Sequence, residues 1–230
     1  MEGKKTCEQY SILSQSKRYE LLFLKCKKLK ISNLVLGHHI DDVIENFFLR
    51  MARGSGLKGL VSLGTNTQIE NINLIRPLIE FDKRDLIFLS KFIFNFYVDD
   101  PTNDDIKFNR IKVRNLIKKF EDFGLDKKKF QLTIENLKKS DQSIKFYVEK
   151  NKKENSILNY RKNELILKDN FFDNSYEVIF RSLSDLIHLV GKKPNFVRGK
   201  KIENILNKIK ESKLRKETLG GCVIKMVNHT

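Results

Sequence analysis

Gly37-His38-His39-Ile40-Asp41-Asp42-Val43-Ile44-Glu45 packs two imidazoles and three carboxylates into nine residues. Groups of this kind bind Mg²⁺, orient a nucleophile or move protons. On a helix, His38 and Asp42 are four apart, as are Asp41 and Glu45, so each pair would share a face. Acids at a helix start can also do no more than complement the macrodipole. Two histidines beside three acids at a strand end favour a site, because α/β folds place ligands there. A second candidate follows at Arg50-Met51-Ala52-Arg53-Gly54-Ser55-Gly56, where glycines allow close backbone approach and arginines suit phosphate or carboxylate. By itself a Gly-Ser-Gly after a helix reads equally as a cap and loop. A third lies at Asp100-Pro101-Thr102-Asn103, then Phe108-Asn109-Arg110 and Arg114, with Arg110 and Arg114 four apart. They suit a phosphate or a base, or form a solvated basic face.

These residues need a frame. Tyr19, Leu22, Phe23, Cys26 and Leu29 recur at helical spacing, and Leu34-Val35-Leu36 closed by Gly37 has the length of a buried parallel strand. Ile40, Val43, Ile44, Phe47, Phe48 and Met51 then form one helical stripe. Helix, strand, turn and helix is the cadence of a doubly wound α/β domain. Further helices are expected over 82–96, N-capped by Asp82, over 108–119 and over 127–150; Val98 to Asp105 reads as a loop. Beyond Asn151 the texture changes. Glu164–Leu167 and Glu177–Phe180 read as strands, mixed with helices near 181–190 and 200–213.

The net charge of +16 concentrates in residues 101–160 and 181–230, as a polyphosphate partner selects. A general lysine bias would give part of the same excess. Three separated cysteines with no CxxC pair read as reduced thiols. No apolar run reaches the ~18 residues of a membrane span, and no apolar segment follows Met1 to Lys5. The chain therefore reads as cytoplasmic, without a membrane partner.

The order of the motifs resembles the tRNA(Ile)-lysidine synthases, PP-loop ATP pyrophosphatase-type enzymes of bacteria. The residues that carry the resemblance are Gly37 to Glu45, Arg53-Gly54-Ser55-Gly56-Leu57, Arg76-Pro77-Leu78, the Asp100–Asn103 loop, and Phe108 with Arg110 and Arg114. It covers residues 17–150 well and continues more weakly to Leu219-Gly220-Gly221-Cys222. The resemblance implies an ATP-dependent ligase that adenylates the C2 oxygen of the wobble cytidine of an isoleucine tRNA with a CAU anticodon. The ε-amine of L-lysine then displaces AMP. ATP and Mg²⁺ are the implied cofactors.

By motif position, the resemblance implies His38, Asp42 and Glu45 as catalytic or substrate-orienting, and Asp41 as a support for metal or for the lysine ammonium. No residue is assigned firmly as a metal ligand. Arg53, Gly54, Ser55 and Gly56 would shape the lysine or nucleotide pocket, and Arg110 and Arg114 would face ATP or tRNA. Lys192, Lys193, Arg198 and Lys200 would hold the tRNA body. The implied fold is α/β: a remnant of a doubly wound Rossmann-like ATP-pyrophosphatase domain over residues 1–125, a helical connector over 126–155, and a small α+β tRNA-binding domain over 156–230.

The family's phosphate cradle, Ser-Gly-Gly-x-Asp-Ser after a first strand, does not occur in the sequence. Gln15 stands where many relatives place arginine, and Ile111 replaces an asparagine. The chain is thus expected to begin late relative to the family, to bind ATP weakly alone, and to expose an apolar edge at the 34–36 strand that favours association, a homodimer included. Two other readings stay open: a tRNA-binding module without catalysis, and a metal-dependent phosphohydrolase built on His38, His39 and the aspartates. A tRNA thiolase would need paired cysteines.

Overall fold

The computed structural model describes residues 7–69, 71–98 and 109–227. They divide into two compact units, residues 1–138 and 139–230. In the first, helix α1 (Cys7–Lys28) leads to strand β1 (Asn33–Val35), helix α2 (Ile40–Met51) and a single turn, α3 (Leu57–Leu60). A hairpin of β2 (Asn66–Ile69) and β3 (Ile72–Ile75) follows, then α4 (Lys83–Phe94) and α5 (Asn109–Asp122). Helix α6 (Lys127–Asn155) begins in this unit and ends in the second.

The sheet of the first unit runs β1-β3-β2, with β1 parallel to β3 and β2 antiparallel to it. Parallel pairing at the 34–36 segment is as the sequence implies; burial is not. Val35 is 63% exposed, because among the described residues β1 has a strand on one side only. Leu34 and Leu36 do turn inward, packing with Tyr19, Phe23 and Cys26 of α1 against Ile72 and Leu74.

The stripe on α2 makes the main core of this unit. Ile40, Val43, Ile44 and Phe48 are buried with Ile79, Ile117 of α5 and Ile134 of α6, while Met51 at the end of the stripe is exposed. Phe48 stacks between Phe120 and Phe130, with ring centroids 5.6 and 5.4 Å away. Arg76 closes the far side of the sheet. Its buried Nη1 donates to the Gly64 carbonyl at 3.0 Å and to Thr67 Oγ1 at 2.9 Å, so the Arg76-Pro77-Leu78 motif is a clamp on the β2–β3 hairpin.

Asp82 caps α4 as its sequence suggests, accepting from the Arg84 backbone N–H at 2.8 Å. The apolar side of that helix is not buried: Phe88 and Phe92 stack on each other at 6.2 Å and stay exposed. The expected loop over Val98 to Asp105, including the Asp100–Asn103 motif, lies beyond Val98 outside the described residues, as does Phe108.

The second unit joins the latter part of α6 to a hairpin of β4 (Ser156–Asn159) and β5 (Glu164–Leu167), helices α7 (Tyr176–Gly191) and α8 (Gly199–Lys210), and a hairpin of β6 (Lys216–Leu219) and β7 (Cys222–Lys225). Its core gathers Phe171, Leu183, Leu186, Ile187, Ile202, Ile205 and Leu219. Residues 177–180, expected as a strand, are instead the first turn of α7. Val178 begins a buried stripe that continues through Ser182, Leu183, Leu186 and Ile187, and a four-residue apolar run cannot distinguish the two periods.

Fully buried Asn151 ties this unit together. Its Nδ2 donates to the Phe171 carbonyl at 3.2 Å, and its Oδ1 accepts from Asn155 and Asn174. The glycines of Leu219-Gly220-Gly221-Cys222 make the β6–β7 turn with φ of 59° and 86°. They also let the hairpin meet the end of α7, where a Cβ on Gly191 would lie 1.9 Å from the Gly220 carbonyl oxygen.

Candidate active site

The charged residues of the Gly37–Glu45 segment converge where β1 gives way to α2. Leu36 still pairs with the sheet through its N–H to the Ile75 carbonyl at 2.8 Å, and Gly37 to His39 then turn the chain into the helix. His39 is the N-cap, with an extended backbone. Its N–H donates to Asp42 Oδ2 at 3.1 Å, fixing that carboxylate over the first turn. His38 therefore precedes the helix, and the helical pairing expected of His38 with Asp42 does not apply. The two still sense each other, since the Asp42 charge acts on the His38 ring.

The adjacent histidines are pushed in opposite directions. Burial lowers His38, and the Arg76 and Arg110 charges add to that effect against the pull of Asp42. His39 is also opposed by burial, but Asp41 and Asp42, each 3.4 Å from a ring nitrogen, raise it. One ring thus favours the neutral imidazole and its neighbour the imidazolium. A divergence of this kind separates acid and base roles within one site.

Asp41 is the most heavily engaged carboxylate. It accepts from Lys127 Nζ at 2.5 Å and from the Lys83 backbone N–H at 3.2 Å, so it joins the starts of α2, α4 and α6. Burial alone would raise it; His39 and Lys127 hold it far below the ordinary carboxylate range. Lys127 also reaches Asp82 at 3.2 Å and Glu121 at 3.4 Å. Nothing in the sequence marks Lys127 for this role, because it is one of three consecutive lysines, 86 residues from Asp41.

Glu45 faces inward and is 3% exposed. Its Oε1 accepts from Arg114 Nε at 2.5 Å, while its buried Oε2 has no hydrogen-bond partner. Burial pushes this carboxyl up despite the arginine. Arg110 stands one turn before Arg114, and its charge reaches both His38 and Glu45. Asp41 and Glu45, though four apart, serve different partners.

His38, Asp41, Asp42, Glu45, Arg110 and Arg114 are thus one cluster. Arg53, Gly54, Ser55 and Gly56 lie at the opposite end of α2, about 18 Å away along a 12-residue helix. There Gly54 turns the chain with φ of 71°, and the Ser55 N–H caps the Arg50 carbonyl at 3.0 Å. Lys192, Lys193, Arg198 and Lys200 are exposed residues of the second unit, between α7 and α8 and in the first turn of α8. Among the described residues, no three His, Cys, Asp or Glu side chains are placed to hold a metal ion.

A family model of the PP-loop domain matches residues 4–120, half of the chain and the whole of this cluster. The chain belongs to the PP-loop family. Among the relatives of this PP-loop chain, the tRNA(Ile)-lysidine synthase of Orientia tsutsugamushi (strain Boryong) is 32% identical over 222 residues, which are 90% of this chain and 48% of the relative. The tRNA(Ile)-lysidine synthase of Rickettsia bellii (strain OSU 85-389) is 33% identical over 224 residues, 92% of this chain and 49% of the relative. That of Wolbachia pipientis wMel is 32% identical over 130 residues, 56% of this chain and 30% of the relative. This PP-loop chain spans about half the length of the first two. Among its described residues, no helix is long and apolar enough to cross a membrane.

Proposed function

We propose that this PP-loop chain carries the lysine-transfer centre of a tRNA(Ile)-lysidine synthase. The observation that carries the reading is Glu45 Oε2, a buried carboxylate oxygen without a partner, one helical turn from Asp42. Lysine arrives as an ammonium and must lose a proton before its nitrogen attacks C2 of the activated cytidine. A carboxyl with a raised pKa and one unpartnered oxygen is suited to take it. The relatives that align over nine-tenths of the chain are named for this chemistry.

In this reading, Asp42 is held by the His39 N–H and keeps its other oxygen for the incoming ammonium. Glu45 accepts the proton as the new C–N bond forms and the bond from C2 to the AMP oxygen breaks. Neutral His38 hydrogen-bonds the base or the departing oxygen, and Arg110 and Arg114 offset phosphate charge. Mg²⁺ would supply charge neutralisation at the triphosphate. Asp41 and Glu45 already face cations, so the ion fits phosphate oxygens and water better than a protein cage. The same engagement argues against the phosphohydrolase reading.

The 230 residues contain no Ser-Gly-Gly-x-Asp-Ser cradle, so the proposal includes a phosphate loop supplied by a further polypeptide segment. The tRNA body would lie on the basic surface of the second unit. The test is incorporation of labelled lysine into isoleucine tRNA with ATP and Mg²⁺, with and without a lysidine synthase fragment that carries the loop. Incorporation is expected only with the fragment, and Glu45→Gln in this chain should abolish it. No incorporation under either condition would overturn the lysidine reading and leave a tRNA-binding module.

A further inference from the structure

The second unit holds a cleft of about 570 Å³ that the proposed chemistry does not use. It lies between the end of α6, the β4–β5 hairpin and α7. Its floor is aliphatic, with Leu158, Leu165, Leu186 and Leu189, and Lys152 and Lys153 stand on its rim. At one side His188 and Phe196 are stacked with centroids 4.0 Å apart and planes within 17° of parallel. The buried Nδ1 of His188 has no hydrogen-bond partner, and the ring's aromatic contact is its stack on Phe196. Phe196 remains 54% exposed.

The chain around Phe196 is basic throughout. Residues 192–201 read Lys-Lys-Pro-Asn-Phe-Val-Arg-Gly-Lys-Lys, with no acid, and their charged side chains are exposed. Lys152 is neutralised by Glu149 and Asp185, at 2.7 and 3.4 Å, so the excess charge belongs to the loop and not to the cleft floor. An aromatic platform over an apolar floor, beside a loop of exposed cations, is the combination that holds unpaired bases: the ring stacks, and the cations follow the backbone. The volume lies within the ordinary range for one small ligand. A helical duplex could use the cations, but its bases are already stacked and could not use the ring. A peptide would need acidic residues for the loop and has no use for a flat stacked pair.

We infer that the cleft beside Phe196 takes one unpaired nucleobase of a bound RNA, stacked on the His188–Phe196 pair with its phosphates against Lys192, Lys193 and Arg198. This rests on the reading of the second unit as an RNA-holding surface and adds to it a preference for a single-stranded or flipped-out nucleotide.

The full chain is titrated with a short single-stranded RNA carrying one 2-aminopurine, and with a blunt duplex of the same sequence. Stacking should quench the single-strand fluorescence. Phe196→Ala should remove the quench and weaken single-strand binding about tenfold, leaving duplex affinity unchanged; Phe196→Tyr should retain both properties. Circular dichroism confirms that each variant is folded, as expected for a side chain more than half exposed. Binding of both RNAs with no effect of Phe196→Ala would overturn the platform and leave the electrostatic RNA surface standing. Failure of the wild-type chain to bind either RNA would overturn both readings.

Discussion

Lys127 Nζ lies 2.5 Å from Asp41 Oδ1, and this ion pair fastens the first turn of α6 to the first turn of α2. The same ammonium reaches Asp82, the cap of α4, so one cation serves carboxylates at two helix starts. Each of those helix starts favours negative charge through its own dipole, yet the carboxylates together would repel without the lysine.

Lys127→Met should therefore destabilise the chain by about 2 kcal/mol, since it strips the cation from half-buried carboxylates. Asp41 has a depressed pKa in the folded state, so the stability it contributes is present above the ordinary carboxylate value of about 4 and is lost as pH falls. Urea unfolding should show the full difference between wild type and variant at pH 7 and a shrinking one below about pH 4. A pH-independent difference would mean that poorer packing, not charge, is responsible.

Glu45→Gln should cost about 1–3 kcal/mol of stability, because the carboxamide oxygen still accepts from Arg114 while its nitrogen replaces the buried, unpartnered Oε2. Lysine transfer by the complemented enzyme should fall at least ~100-fold. Burial raises Glu45, so its base form, and with it the transfer rate, should grow as pH climbs through that raised value and then level off. The rising limb should be missing in the variant when rates are followed across pH by single-turnover assay.

NMR titration of the imidazole carbons should find His39 above the usual histidine value of about 6.5 and His38 below it. In linkage terms, the stability His39 contributes is complete below that value and disappears as pH rises through its own higher pKa. His38 behaves oppositely. Coincident titration of the two rings would contradict the placement of His39 between Asp41 and Asp42.

Charge reversal is unnecessary to test the basic loop; neutralisation suffices. Replacing Lys192, Lys193, Arg198 and Lys200 with glutamine should weaken tRNA binding and reduce the salt slope by about 0.9 for each phosphate left without its cation. Filter binding over a range of KCl concentrations reads this directly, and an unchanged slope would move the tRNA surface elsewhere.

Two glycines should respond differently to alanine. Gly191→Ala should cost more than about 2 kcal/mol, because the new carbon collides with backbone that cannot move independently. Gly54→Ala meets open space and should cost only about 1 kcal/mol, from its positive φ alone. Thermal melts of the two variants give the comparison.

The stripe of α2, the cap at Asp82 and the 164–167 strand are legible in the sequence because each rests on a local period or a local hydrogen bond. The cluster at His38 to Glu45 is legible for the same reason, being contiguous. What the sequence hides is made by distant chain. Arg114 meets Glu45 across 69 residues, so a basic helix face and an ion-pair partner look alike until the fold is closed. The 177–180 run reads as a strand and folds as helix because a buried helix turn and a short strand share one composition. The exposure of Val35 depends on what stands beside β1, which no pattern within β1 records.

Gly191, Gly220 and Gly221 meet at a corner where side-chain carbon is excluded from two directions: a Cβ on Gly191 would strike the Gly220 carbonyl, and one on Gly221 would approach the Gly191 carbonyl within 2.9 Å. A larger residue at one position cannot be offset by a smaller one at another, since glycine is already the smallest. Mutational drift is therefore shut out at all three positions at once. A lineage could relax that limit only by moving the β6–β7 hairpin away from α7, which would uncover Ile187 and Leu219 to water.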